Sequence, residues 1–546
     1  MKFARALGWI AGLTLALALS AVAQQPAPDP IAAPAPAASA PDKGADARAS
    51  LKQFSDVFGL IEKDYADPVN PNLAIYGPSG SNKLGAIPAM LRVLDPHSNF
   101  FDPKRFAQLE EEMQGKYFGV GMQIGPMPDK TGKMVTVVEE PLPGSPAFRA
   151  GIRPGDIIQA VNGKLTAGMD TAQVANLLRG PRGTAVQVTI RREGVVKPLE
   201  FTLTRHKIMP RSVDSAFMLH PGIAYIHIDT FNETTNSELT ADLDRLGPQN
   251  LNGLVLDLRG NLGGLLQEAV GVASHFLRKG QLIVYHYGRI SASQRYYVVN
   301  GETGEEYPIV VLINQNTASA AEIVTGALQD HDRALVMGQR SFGKGLVQTE
   351  FPLSDHTMLL LTTARYYTPS GRLIQRDYSD ISLYDYYNHY DPTPLPHTQV
   401  RMTDGGRTVY GGGGISPDIP VPPRKLNPVE TRLAAAGVFF DFGRSYLAHH
   451  KTVPAGFTPG RKALDEFRKF LPAEHVTLSD AEFKANEPFI REQIRVQLIR
   501  TIYGPDAANH IVVENDPLVG QAVDSLGQAK ALLVHAQHYM ASRGMQ

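Results

Sequence analysis

The chain has no cysteine and a single tryptophan, Trp9. Without cysteine there can be no disulfide, thiolate metal site, cysteine nucleophile or lipid-modified cysteine, so stability must come from the core. One-sided charge is also missing: 53 Lys and Arg stand against 54 Asp and Glu, a formal net charge of −1. That balance speaks against a general nucleic-acid binder and against a protein held by membrane electrostatics. Past the N-terminus no apolar run reaches the roughly 18 residues that a membrane span needs. Internal repeats are absent, and no serine sits in a G-x-S-x-G elbow.

What is present starts with MKFARALGWIAGLTLALALSAVAQQ. Lys2 and Arg5, a short apolar run and Ala21-Val22-Ala23 have the form of a cleavable secretory signal over residues 1–23. The expectation is a periplasmic or otherwise secreted protein that loses Trp9 with its signal and keeps no stable membrane span. Residues 24–48 are rich in Pro and Ala and read as an extended tether.

The remaining pattern divides the chain. Leu51, Phe54, Val57, Phe58 and Ile61 recur at helical spacing, and Ala86–Val93 forms a second helix, within an N-terminal helical segment, 49–115. Over 116–206 short apolar runs alternate with turns around one helix, Thr171–Leu178, which reads as a small β module. From 207 to 422 near-continuous apolar runs such as LNGLVLDL and YPIVVLI alternate with helical patterns, as in a buried mixed α/β core. Within it 376–410 is polar, tyrosine-rich and aperiodic and reads as a surface insertion. Residues 423–546 are helical, with amphipathic spacing over Phe489–Tyr503 and Leu518–Tyr539. The stripe Phe489, Ile490, Ile494, Leu498 and Ile502 suits either dimerisation or packing on the core, with core packing favoured.

Asn314–Gln348 carries the chemistry. Gly338-x-x-x-x-Gly343-Lys344 starts like a phosphate-binding loop, but Gly345 stands where the magnesium-binding Ser or Thr belongs, and a strand pattern follows instead of a helix. Ser319 sits at a helix start, where unpaired amides can meet an oxyanion, and it needs a base. His331 falls in a turn and His227 in a strand, which argues against a Ser-His-Asp set. Lys344, between two glycines and remote from acids in sequence, can act as a base if burial lowers its pKa. Gln348 falls on the same side of an extended chain. A serine N-cap and a G-K-G turn remain the plain structural alternatives.

N-x-x-S-A-x-x-E-I followed by F-G-K-G-x-V-Q resembles the C-terminal processing peptidases, or tail-specific proteases. The spacing matches: 344 − 319 = 25, and Gln348 stands four residues after Lys344. LDPHSNFF (Leu94–Phe101), GLVLDLRGNLGG (Gly253–Gly264), RYYTPSGRLIQ (Arg365–Gln375) and GGISPDIPV (Gly413–Val421) look like further motifs of that family. Ala321 departs from it, where many relatives carry a second serine.

The resemblance implies a crotonase-like α/β protease core with an inserted PDZ domain and helical segments at both ends. By it, Ser319 attacks the scissile carbonyl, Lys344 relays the proton and Gln348 positions Lys344. The amides of Gly264 and Ala320 form the oxyanion hole, with Gly263 as the weaker substitute for Gly264. Phe118, Gly119, Val120 and Gly121 form the PDZ carboxylate loop, which holds a peptide's C-terminus as the peptide adds as a strand. No metal or cofactor is implied. The expected partners are proteins with free C-termini, not nucleic acid; a homo-oligomer or a regulatory partner stays open. An empty PDZ domain resting over the cleft would gate activity. The rivals are a catalytically silent PDZ adaptor and an acyl-transfer enzyme on a similar core.

Overall fold

The computed structural model describes residues 43–543 apart from 78–83, 115–116, 130–131, 291–292, 300–306, 380, 389–398 and 451. The stretch read as a signal and most of that read as a tether lie outside the described residues. The chain divides into two units, the first ending at Ile75 and the second running from Tyr76.

In the first unit one helix spans Lys43–Asp64. It begins inside the stretch read as tether, because KGADARAS follows the last proline there and is rich in the strong helix formers Ala, Lys and Arg. Its apolar residues Leu51, Phe54, Val57 and Ile61 are exposed, although their spacing suggested a packed face.

The second unit opens with the helix Ala86–Arg92, the short strand Asn99–Phe101 and the helix Pro103–Met113. A small β module follows. Its antiparallel sheet runs in the order Met122–Pro128, Met134–Pro141, Ile157–Val161, Ala185–Arg191, Leu199–Thr204, closed over a core that includes Val138, Val174, Val186 and Ile190. Its one long helix, Thr171–Leu178, is fixed by a reciprocal cap: Asp170 Oδ1 accepts from Gln173 N at 2.7 Å, and Gln173 Oε1 accepts from Asp170 N at 3.0 Å.

The α/β core is a six-stranded sheet in the order Ser215–His220, Ile223–His227, Gly253–Asp257, Ile309–Ile313, Ala334–Gly338, Ile419–Pro420, parallel except for the first pair. The continuous apolar runs are explained by burial on both faces. Alternate side chains separate as a strand requires. Leu254, Leu256, Val311 and Ile313 meet the helices Thr235–Leu246, Leu266–Ser274 and Ala320–Asp330. Val255, Val310 and Leu312 meet the C-terminal helices Pro517–Asp524 and Leu526–Ser542. The pattern Leu518–Tyr539 is therefore two helices, divided at Ser525.

The stripe on Glu487–Tyr503 does neither of the things expected of it. Phe489, Ile490, Ile494 and Leu498 join Leu433, Phe439, Phe442 and Phe467 in a core belonging to the tail's own helices. The β module touches this bundle through Arg444–Glu193 (2.7 Å) and Arg500–Glu140 (3.1 Å).

A second sheet carries the site. The strand Met358–Tyr367 pairs on one side with Leu346–Pro352 and on the other with Asn99–Phe101 and Leu282–Tyr287. It thus brings the N-terminal segment and the strand after Lys344 onto one scaffold.

Candidate active site

Ser319 is the N-cap of Ala320–Asp330 and has φ 54° and ψ −114°, a conformation costly for a residue with a side chain. The surroundings hold it there. Ala318 N donates to Asn261 O (2.9 Å), and Glu322 N and Ile323 N donate to Ser319 O at 2.9 and 3.0 Å. Gly263 packs against it so closely that a Cβ there would stand 2.7 Å from Ser319 Cβ and 3.0 Å from Ala320 N.

Glu322 brings the serine and the lysine together. Its buried carboxylate accepts from Ser319 N and Lys344 N on one oxygen, both at 2.8 Å, and from Ser341 Oγ and Gly343 N on the other. Burial pushes its pKa up overall, and these hydrogen bonds offset part of that rise. With four donors facing two oxygens, the group serves as a carboxylate acceptor. On the carbonyl side the Tyr366 hydroxyl donates to Lys344 O and lies 3.1 Å from Ser319 O. Phe342 N donates to Thr317 O at 2.8 Å, which closes the two loops on each other.

Lys344 Nζ donates to Gln348 Oε1 at 2.9 Å. Burial lowers the lysine pKa, against the carboxylates of Glu322 and Asp95, which raise it. The Gln348 amide is oriented without ambiguity. Its Nε2 donates to the backbone oxygen of His97 at 2.6 Å, and because a carbonyl only accepts, Oε1 is left facing the lysine.

The amides proposed for the oxyanion hole differ in a useful way. Gly263 N donates to Asn261 Oδ1 at 2.8 Å. Among the described residues Gly264 N and Ala320 N have no acceptor. Gly264 has φ +142°, and a Cβ there would meet Phe231 O at 2.0 Å, so the position admits only glycine.

Other candidates are used up structurally. Both ring nitrogens of His227 are occupied, by Asp214 and Arg259 O, and both of His331, by Asp404 and Leu282 O. Gly343 N and Lys344 N are spent on Glu322, and a strand, Leu346–Pro352, follows, so no phosphate cradle exists. Phe118–Gly121 lies at the start of the β module, away from Ser319 in sequence. Val120 is buried, Phe118 is 41% exposed, and Val120 O and Gly121 O accept from Ala147 N and Ser145 Oγ. The strand that follows, Met122–Pro128, is an edge of its sheet.

The segment read as a surface insertion is only partly one. Tyr386, on the helix Leu383–Asn388, is 2% exposed and packs at right angles to Phe342, while Arg376 lies between their rings, 4.1 and 4.2 Å from the centroids. Its apolar ring face outweighs the polar composition around it. Sequence reasoning missed Glu322, Tyr366 and His97 as site residues. The S-x-x-E capping pattern at Ser319 was the available signal for Glu322.

The pattern describing Peptidase family S41 matches residues 222–382, which include Ser319, Lys344 and Gln348, and a PDZ domain pattern matches 137–192. The chain is 37% identical over 329 residues to the carboxy-terminal-processing protease of Bartonella bacilliformis, covering 60% of this chain and 72% of that one. This chain belongs to peptidase family S41. It is also 39% identical over 295 residues to the carboxyl-terminal-processing protease of Synechocystis, covering 53% of this chain and 68% of that one. A solved photosystem II D1 C-terminal processing protease aligns with 29% identity and TM-score 0.36, covering 69% of this chain and 94% of that one. The S41 core, the PDZ domain and the helical ends make this member a mixed α/β protein. Among its described residues no helix is long and apolar enough to cross a membrane.

Proposed function

We propose that this S41 member is an exported serine endopeptidase that takes proteins by their free C-terminal tails and cuts them with a Ser319/Lys344 dyad. The carrying observation is the shared anchor: one Glu322 oxygen binds the amides of both residues, and Tyr366 reaches both carbonyls. Lys344, shifted toward its neutral form by burial, takes the proton of Ser319 Oγ as that oxygen attacks the scissile carbonyl. Gly264 N and Ala320 N receive the developing oxyanion. The C–N bond breaks as Lys344 returns the proton to the leaving amine, and water releases the acyl group by the same relay. Gln348 holds the amine in place. No step calls for a metal or cofactor.

The PDZ reading draws support from the open edge of Met122–Pro128 beside Phe118–Gly121, where an extended tail can add as a strand. The domain limits given above and gating by the PDZ domain belong to the same reading. Mass spectrometry of an unfolded protein incubated with mature enzyme, its C-terminus free or amidated, tests it beside Ser319→Ala and Lys344→Ala. Loss of cleavage in both variants and weaker cleavage of the amidated substrate are expected. Full activity in either variant would refute the dyad. Binding of tails without cleavage or labelling by a serine-directed probe would leave the adaptor.

A further inference from the structure

The turn Asp95–Ser98 lies far from Lys344 in sequence and is joined to it through the second sheet. Asp95 Oδ1 accepts from His97 N and Ser98 N, both at 2.7 Å, and Oδ2 accepts from Ser98 Oγ at 2.6 Å. Ser98 Oγ in turn accepts from Thr362 N, the residue paired with Gln348 across the sheet. The turn is thereby registered on Met358–Tyr367, the strand that pairs with the one carrying Gln348, and the His97 carbonyl meets the Gln348 amide.

The His97 ring is held from the far side of the chain. Tyr387 OH donates to Pro96 O at 2.9 Å and lies 3.2 Å from His97 Nδ1, and Tyr386 OH lies 3.0 Å from His97 Nε2. Gln375 Nε2 donates to Tyr386 OH, while Gln375 Oε1 accepts from Gly345 N at 2.8 Å. One assignment satisfies every group: Nδ1–H donates to Tyr387, and the Tyr386 hydroxyl donates to Nε2. A neutral imidazole fits this, and burial beside Lys344 lowers the His97 pKa to about 3. The ring of contacts leaves Lys344 through Gln348 and returns through Gln375 to Gly345.

We propose that His97, with Asp95, Tyr386 and Tyr387, is a positioning unit for the general base: it fixes the Gln348 amide and so aims the Lys344 amine at Ser319. This rests on Lys344 being the base. The charged and titratable groups acting on Lys344 are Glu322, Asp95 and His97, with the Tyr366 hydroxyl on its backbone carbonyl and Arg376 acting on the His97 ring. None of them replaces Gln348 as the acceptor of Nζ.

The test is steady-state kinetics and a pH profile for full-length mature enzyme bearing His97→Phe, Gln348→Ala, both together, Tyr386→Phe/Tyr387→Phe, and Lys344→Ala. His97→Phe should lower kcat by about 10- to 100-fold, as a misplacement near 1 Å does, with little change in KM. Its acid limb should move to higher pH, because a loosened ring admits water and favours the ammonium. The double variant His97→Phe/Gln348→Ala should be no worse than Gln348→Ala alone. If His97→Phe lowers the melting temperature sharply, the tyrosine pair supplies the same readouts with the residues of the turn itself unchanged. Wild-type kcat and an unmoved acid limb in these variants, or additive losses in the double variant, would overturn the positioning role. Retained cleavage by Lys344→Ala would instead overturn the dyad.

Discussion

The helix Ala320–Asp330 has two buried ionic ends, and they are built on opposite principles. At its N-terminus the Glu322 carboxylate is satisfied by amides and a hydroxyl, and Lys344 by the amide of Gln348. The carboxylate and ammonium are neighbours that do not pair. At its C-terminus every carboxylate meets a cation: Asp330 binds the fully buried Arg372, and Arg407 joins Asp332 to Asp418. The paired end is fixed by its ion pairs. The unpaired end leaves the lysine shifted toward its neutral form, which is what a base requires.

The largest expected effect is on the unpaired end. Lys344→Ala should reduce cleavage by about 10³-fold or more, the upper range for loss of a positioned base. The variant should fold, since no ion pair is broken. Lys344→Met sharpens the same point. A lysine lowered on folding binds its proton more weakly in the folded than in the unfolded chain. Its penalty is therefore full below the lowered pKa and disappears as pH rises past the ordinary value. Calorimetry at neutral pH should find Lys344→Met at least as stable as the wild type; a large loss would break the comparison.

Next comes the paired end. Arg372→Met leaves Asp330 buried without its cation, which should cost about 3–5 kcal/mol in chemical denaturation. Joining it with Asp330→Leu should recover part of that loss. Glu322→Gln ranks below it. Its amide nitrogen must turn toward two donors, costing about 1–3 kcal/mol, and kcat should fall as Ser319 and Lys344 lose their common anchor.

The smallest effect belongs to a pair at the rim. Burial alone would lower the His331 pKa, but the hydrogen bond and charge of Asp404 raise it overall. The contribution is present in full below the ordinary histidine value near 6.5 and is lost as pH rises through the raised one. Asp404→Asn should therefore destabilise by about 1 kcal/mol at pH 6 and by less at higher pH.

The sequence by itself settled the periodic elements. The helix Thr171–Leu178 and the strands around LNGLVLDL and YPIVVLI follow from local spacing, because a buried strand or a capped helix carries its pattern within one segment. It also offered Ser319, Lys344 and Gln348 as candidates, which lie within one stretch of chain. Only the tertiary structure brought in His97 and Tyr386, since they reach Gln348 and Gln375 through the register of Met358–Tyr367 and not through any local signal. It also decided that the stripe on Glu487–Tyr503 fills a core of its own, and that a tyrosine in a polar segment is buried. An apolar stripe or a lone ring states that a partner is needed; which partner depends on contacts between distant residues, and those are fixed only when the sheets form.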